Sequence, residues 1–141
     1  MMGLKFLKVL LGLSVIVGSL QFLPVARPSA PVISEWRAPK AIYTPMRRAC
    51  YDCHSNETRW PWYSSVAPAS WWVVRAVNRG RSELNFSNWN PLYHKKMLRR
   101  IEQAIMSQHQ QQGLYAQAHP SAILNDSERK LIVQWLAEQL D

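Results

Sequence analysis

Cysteine is scarce in this chain: of 141 residues only Cys50 and Cys53 carry a thiol. A structural zinc site needs four protein ligands, so these two and the adjacent His54 would have to recruit a distant histidine. No alternation of strand-like and helix-like segments surrounds them, which removes the usual setting of a thioredoxin-like redox pair. Acidic residues are also few, nine against 17 lysines and arginines, for a formal charge of +8. Residues 1–30 hold Lys5, Lys8 and Arg27 and no acid, leaving 14 bases against nine acids in the remainder. Those bases are dispersed and follow an export segment, so the excess reads as a solvated surface and nucleic acid is not expected as a partner. Paired carboxylates and a serine triad are missing as well, and no conventional catalytic constellation is predicted.

The one long apolar run lies at the start. Lys5 and Lys8 precede residues 9–26, a stretch just long enough to span a bilayer, and the lysines favour keeping the N-terminus in the cytoplasm. No clean small-x-small cleavage site follows, because Pro28-Ser29-Ala30 places proline in the way. Residues 1–27 are therefore expected to be a signal anchor, with a cleaved signal peptide as the alternative. Either way the rest of the chain lies outside the cytoplasmic membrane, on its periplasmic side. Pro28, Pro31 and Pro39 mark residues 28–40 as an extended tether without its own core. A domain over residues 41–141 follows.

That domain contains Cys50-Tyr51-Asp52-Cys53-His54. Two cysteines with two residues between them can each form a thioether to a haem vinyl group, and the histidine after the second is placed to ligate the iron. Thr44-Pro45 offers a helix start, and a helix from there puts Cys50, Cys53 and His54 at i, i+3 and i+4 on one face. One haem c per chain is the expected cofactor. Its two propionates would lower the net charge of the mature part to about +3. A disulfide or redox pair and a zinc site are the competing readings. With seven tryptophans in the chain, several indoles are expected to line something flat. Trp60, Trp62 and Tyr63 are the candidates to face the macrocycle, and simple core filling is the alternative for each.

Helical segments make up the rest, so the predicted fold is all-α, a small cytochrome-c-like helical domain behind an N-terminal membrane-spanning or signal helix. One helix is expected from Pro68 to a Gly80 stop, with Arg75, Arg79 and Arg81 on a solvated face. A second, capped by Asn90 before Pro91, turns Leu92, Met97, Leu98, Ile101 and Ile105 inward and leaves His94 on the surface. A polar loop at residues 109–114 ends it. The last helix begins at an Asn125-x-x-Glu128 capping box and buries Leu131, Ile132, Trp135, Leu136 and Leu140 against the cysteine-bearing helix.

Ala49-Cys50-Tyr51-Asp52-Cys53-His54-Ser55-Asn56, Trp60-Pro61-Trp62-Tyr63-Ser64, Ala67-Pro68-x-Ser70-Trp71, Gly80-Arg81, Leu84-Asn85-Phe86-Ser87-x-Trp89 and His119-Pro120 before a helix with Trp135 together resemble an exported haem-binding domain family of c-type-cytochrome-like proteins. The resemblance runs from about residue 41 to the C-terminus. It implies thioethers at Cys50 and Cys53, His54 as proximal ligand, and an N-terminal anchor. Family members typically carry a Met-Pro pair in the region of residues 106–113, and this chain has none there. His109 in the loop, or Met106 in the preceding turn, is then the expected distal ligand; His119 is a third candidate whose His-Pro element points to a structural role. Imidazole would give a lower potential than thioether. The function expected is single-electron transfer by a membrane-anchored, periplasm-facing c-type haem protein with unnamed redox partners. The alternative is a gas or redox sensor, or a peroxidase-like enzyme, with an exchangeable distal site.

Overall fold

The computed structural model describes residues 2–23, 25–107 and 114–141, and among these the chain is helical with no strand. The α-helices are α1 (Met2–Leu20), α2 (Lys40–His54), α3 (Ala69–Glu83), α4 (His94–Met106), the short α5 (Leu114–Ala118) and α6 (Asp126–Leu140). Tight 3₁₀ turns at Trp62–Ser65, Pro91–Tyr93 and Pro120–Ala122 absorb the prolines between them. The fold is the all-α one expected. Within α1, Gly3–Leu20 is long and apolar enough to cross a membrane, and none of it is buried against the domain.

Helix α2 begins a turn earlier than Thr44-Pro45 suggests. Pro39 takes the cap position, and its carbonyl accepts from the N–H of Ile42 and of Tyr43 at 2.9 and 2.8 Å, which leaves Pro45 inside the helix. Proline there forfeits one backbone bond. The extra turn buries Ile42 and places it with Met46 in the core, which offsets that loss. Each such aliphatic side chain stabilises by about 1.5–3 kcal/mol when fully buried.

Residues 33–36 depart further from expectation, since they are part of the core rather than a free tether. Trp36 is 1% exposed. Its N–H donates to the Phe86 carbonyl at 2.9 Å, and Ile33 and Trp89 bond across to Ser87 and Ser34 at 2.9 and 2.8 Å. The Trp36 ring meets Phe86, Trp89 and Trp135 at centroid distances of 5.1, 5.9 and 5.9 Å. A proline-rich composition signals extended backbone, but one indole suffices to pin that backbone down.

α4 and α6 pack on each other, and α6 also reaches α2. Their contact uses Leu98, Ile101 and Ile105 from α4 and Ile132 and Leu136 from α6. Leu92 is 88% exposed because it lies in the 3₁₀ turn before α4 and escapes its period. Leu131, beside the Ile132–Leu136 stripe, is also exposed. His94, expected on the surface, is half-buried and accepts the Trp89 indole N–H at 3.0 Å. Both expected caps are present. Asn90 accepts from Leu92 N–H at 2.9 Å, and Asn125 and Glu128 exchange side-chain-to-backbone bonds of 2.8 and 3.0 Å.

Candidate functional site

The last turn of α2 carries Cys50, Cys53 and His54, with Cys50 buried and the other two half-buried. His54 is gripped from one direction. Its Nδ1 lies 3.1 Å from the Leu84 carbonyl, and its own carbonyl accepts the Phe86 N–H at 2.7 Å. A carbonyl only accepts, so the ring proton sits on Nδ1 and the lone pair of Nε2 is left to coordinate. The residues after His54 interlock with those after Leu84. Asn85 donates to Asn56 at 2.9 Å, Ser87 Oγ accepts from Asn56 N–H at 3.0 Å, and Asn56 Nδ2 reaches the Pro31 carbonyl at 2.6 Å. Arg81, expected on a solvated face, closes this junction by donating to the Ser55 and Pro28 carbonyls at 2.7 and 2.9 Å and to Thr58 Oγ1 at 3.0 Å. Burial accordingly lowers its pKa.

Two cavities flank the turn. The first, about 480 Å³, is lined by Met46, Cys50, His54, Leu84 and Phe86 and by the α4 side chains Arg100, Ile101, Gln103, Ala104 and Ile105. The second, about 400 Å³, is lined by Cys53 and by Pro61, Tyr63, Trp72, Val73 and Val77, with Asp52, Arg59 and Tyr115 at its polar end. Both volumes fall within the range of small-molecule and cofactor sites, about 300–1,000 Å³. The distance between α2 and α3 here is set by Gly80. It lies inside α3 rather than ending it, and a Cβ on it would meet the Cys53 carbonyl oxygen at 2.5 Å.

On the Cys53 side Asp52 is buried and fully engaged. It accepts from Arg59 N, Nε and Nη2 at 3.1, 3.0 and 2.9 Å and from Tyr115 Oη at 2.6 Å. Burial opposes its ionisation, but the bonds from Arg59 and Tyr115 outweigh it and hold the carboxyl below its ordinary range. Tyr115 stacks on His119 at 4.4 Å, and Tyr63 Oη lies 2.8 Å from His119 Nε2. Burial, and then the Asp52 charge, pushes the Cys53 thiol up. A nucleophilic redox cysteine needs the opposite shift.

The expected macrocycle neighbours separate. Tyr63 lines the second cavity, Trp62 is 80% exposed, and Trp60 lies under the Arg27 guanidinium at 5.6 Å. Of the seven tryptophans only Trp72 lines either cavity, and Trp36, Trp89 and Trp135 pack in the core instead. Met106 is 65% exposed and lines neither cavity, while His109 lies outside the described residues. Sequence reasoning missed the Leu84 carbonyl, Phe86 and the Asp52–Arg59–Tyr115 cluster. Asp52 was visible between the cysteines, and charge inside an otherwise buried turn was the signal that it needs partners.

Among the described residues no three or more histidine, cysteine or acidic side chains converge on a point, as a tetrahedral zinc would require. The donor set instead suits a flat group. Cys50 and His54 line the first cavity and Cys53 the second, and the imidazole is fixed through Nδ1, which leaves Nε2 for a metal. These residues fit a haem, which Cys50 and Cys53 would hold and whose iron His54 would ligate. Fold and site thus define a small all-α haem protein. The chain belongs to the haem-binding domain family, whose sequence model matches residues 15–138. That match reaches past the tether into α1, in keeping with the place of Trp36 in the core. No curated protein and no solved structure shows significant similarity to the chain.

Proposed function

We propose that this is a membrane-anchored c-type haem protein, its domain outside the cytoplasmic membrane, that passes single electrons. Cys50 and Cys53 hold one haem through thioethers, His54 is the proximal ligand, and α1 is the retained anchor. The observation that carries the reading is the bond of His54 Nδ1 to the Leu84 carbonyl at 3.1 Å, which presents Nε2 as a ligand. Haem supplies a one-electron iron couple when bound. The residues of this chain do the rest: Ile101, Ile105 and Phe86 exclude water from the first cavity, and Arg100 on its rim offers a guanidinium to a propionate. His109 is the proposed distal ligand, with Met106 second. Protein produced with a haem-attachment system should show haem that stays on the chain in a denaturing gel. Replacement of both cysteines by alanine should abolish it, and wild-type protein without such haem would end the proposal.

A second reading, an exchangeable distal position suited to a gas or a peroxide, is favoured by two placements. Met106 faces solvent, and His119 is engaged by Tyr63. Carbon monoxide added to the reduced protein separates the two. An unchanged spectrum indicates a closed, six-coordinate iron, and a shifted Soret band an open one. Electron paramagnetic resonance of the oxidised protein, repeated on His109→Ala and Met106→Ala, then identifies the ligand.

A further inference from the structure

We propose that the face around residues 62–72 lies on the bilayer surface, with Trp62, Val66 and Trp72 in the headgroup layer. The membrane then holds the haem domain in one orientation. This inference rests on the reading of α1 as a retained membrane anchor.

The argument starts at the end of α1. One residue past Leu20, the Gln21 side chain clasps the main chain of Ala67 in both directions: Nε2 donates to the Ala67 carbonyl at 3.1 Å, and Ala67 N–H donates to Oε1 at 3.0 Å. Trp71 Nε1 donates to the Leu23 carbonyl at 3.2 Å. Arg27 bonds Ser65 Oγ, and its guanidinium lies over Trp60. Consecutive Cα atoms are about 3.8 Å apart. Chain fastened this soon after the helix leaves no slack, so any bilayer that contains α1 must come up to residues 65–71. The domain cannot stand off on a tether.

The exposed side chains at this place suit that neighbour. Trp62, Val66 and Trp72 are 80, 42 and 67% exposed, and Phe22 on the docked tail is 86% exposed. Indoles favour the membrane–water boundary, where an apolar body meets hydrocarbon and the N–H meets headgroups. Arg75 is exposed one helical turn beyond Trp72, where it can meet lipid phosphates. The same patch left in water would be an unexplained apolar surface.

Hydroxyl-radical footprinting of the full-length, haem-loaded protein in phosphatidylcholine–phosphatidylglycerol vesicles tests this, each residue's oxidation rate being scaled to its rate in the unfolded chain. Trp62 and Trp72 should be protected several-fold more than their exposure predicts. Tyr93, which is exposed elsewhere, should react fully. If the protein floats with the vesicles while Trp62 and Trp72 react like Tyr93, the inference is wrong and the anchor stands. If the protein does not float with the vesicles, the anchor reading falls and the inference with it. Protection that persists without vesicles would assign the tryptophans to a haem or protein contact, Trp72 lining the Cys53 cavity, and likewise overturn it.

Discussion

The two flanks of the α2 turn are built on different principles. On the Cys50 side, Met46, Leu84, Phe86, Ile101 and Ile105 share the cavity wall with Glu83, Arg100, Gln103 and Ser107, and the polar contacts run to main-chain carbonyls, His54 to that of Leu84 and Arg100 to that of Glu83. On the Cys53 side, Asp52, Arg59 and Tyr115 bond one another, and Tyr63 bonds His119. An aliphatic contact such as that of Ile101 is tolerant of side-chain exchange at constant volume, whereas a buried polar cluster is sensitive to the loss of any member. The comparison teaches that the first flank leaves room beside Cys50 and His54, behind a wall of mixed polarity. The second fixes the positions of the elements around it.

The strongest way to break the second flank is Gly80→Ala. The added methyl would lie 2.5 Å from the Cys53 carbonyl oxygen, a backbone atom that cannot swing away. Overpacking of this kind costs about 1–3 kcal/mol, and here α2 and α3 must separate at the cysteine itself. Chemical denaturation should show a loss near the upper end. Ile101→Val, on the first flank, should cost about 0.5–1.5 kcal/mol by the same measurement. Equal losses would erase the contrast.

Asp52→Asn is the next largest change. It weakens the bond pattern with Arg59 and Tyr115, and since Arg59 is 71% exposed, solvent screening limits the expected loss to about 1–2 kcal/mol. The pH dependence is the more specific readout. A carboxyl held below its ordinary value stabilises the fold above that value, and this contribution is lost as pH falls. Wild-type stability should therefore decline below about pH 4, the usual carboxyl range. Glu128, held down by Arg48 in the same direction, keeps part of that slope in the variant. The Asp52→Asn profile should be shallower, and a superimposable profile would remove Asp52 from the account.

How much of this was legible beforehand differs along the same division. The cysteine–histidine turn, the helical class, the Asn90 and Asn125 caps and the inward stripe of Leu98, Ile101 and Ile105 all follow from spacing within one segment. Trp36 in the core, the burial of Arg81 and the Asp52 cluster depend on segments brought together from more than 20 residues apart, as with Arg81 and Pro28 or Asp52 and Tyr115. Local periodicity carries no information on such pairings. The error over Gly80 has the same origin. Glycine near a helix end reads as a stop, and only the approach of α2 reveals that it makes room for a backbone carbonyl.

The smallest expected effect is that of Tyr63→Phe, which removes the hydroxyl 2.8 Å from His119 Nε2 and keeps the ring. A single hydrogen bond contributes about 0.5–1.5 kcal/mol net, and Tyr63 lies in a short turn rather than in the main core, so the lower half of that range applies. Its use is diagnostic. The His119 ring stays stacked on Tyr115, so loss of the hydroxyl leaves Nε2 without that partner but does not redirect the imidazole. If the polar flank acts only to fix position, the resonance spectrum of the oxidised haem protein should match wild type. A new low-spin signal in Tyr63→Phe would mean that His119 had become a ligand. The flank would then hold a histidine in reserve, and the division between an admitting side and a positioning side would fail.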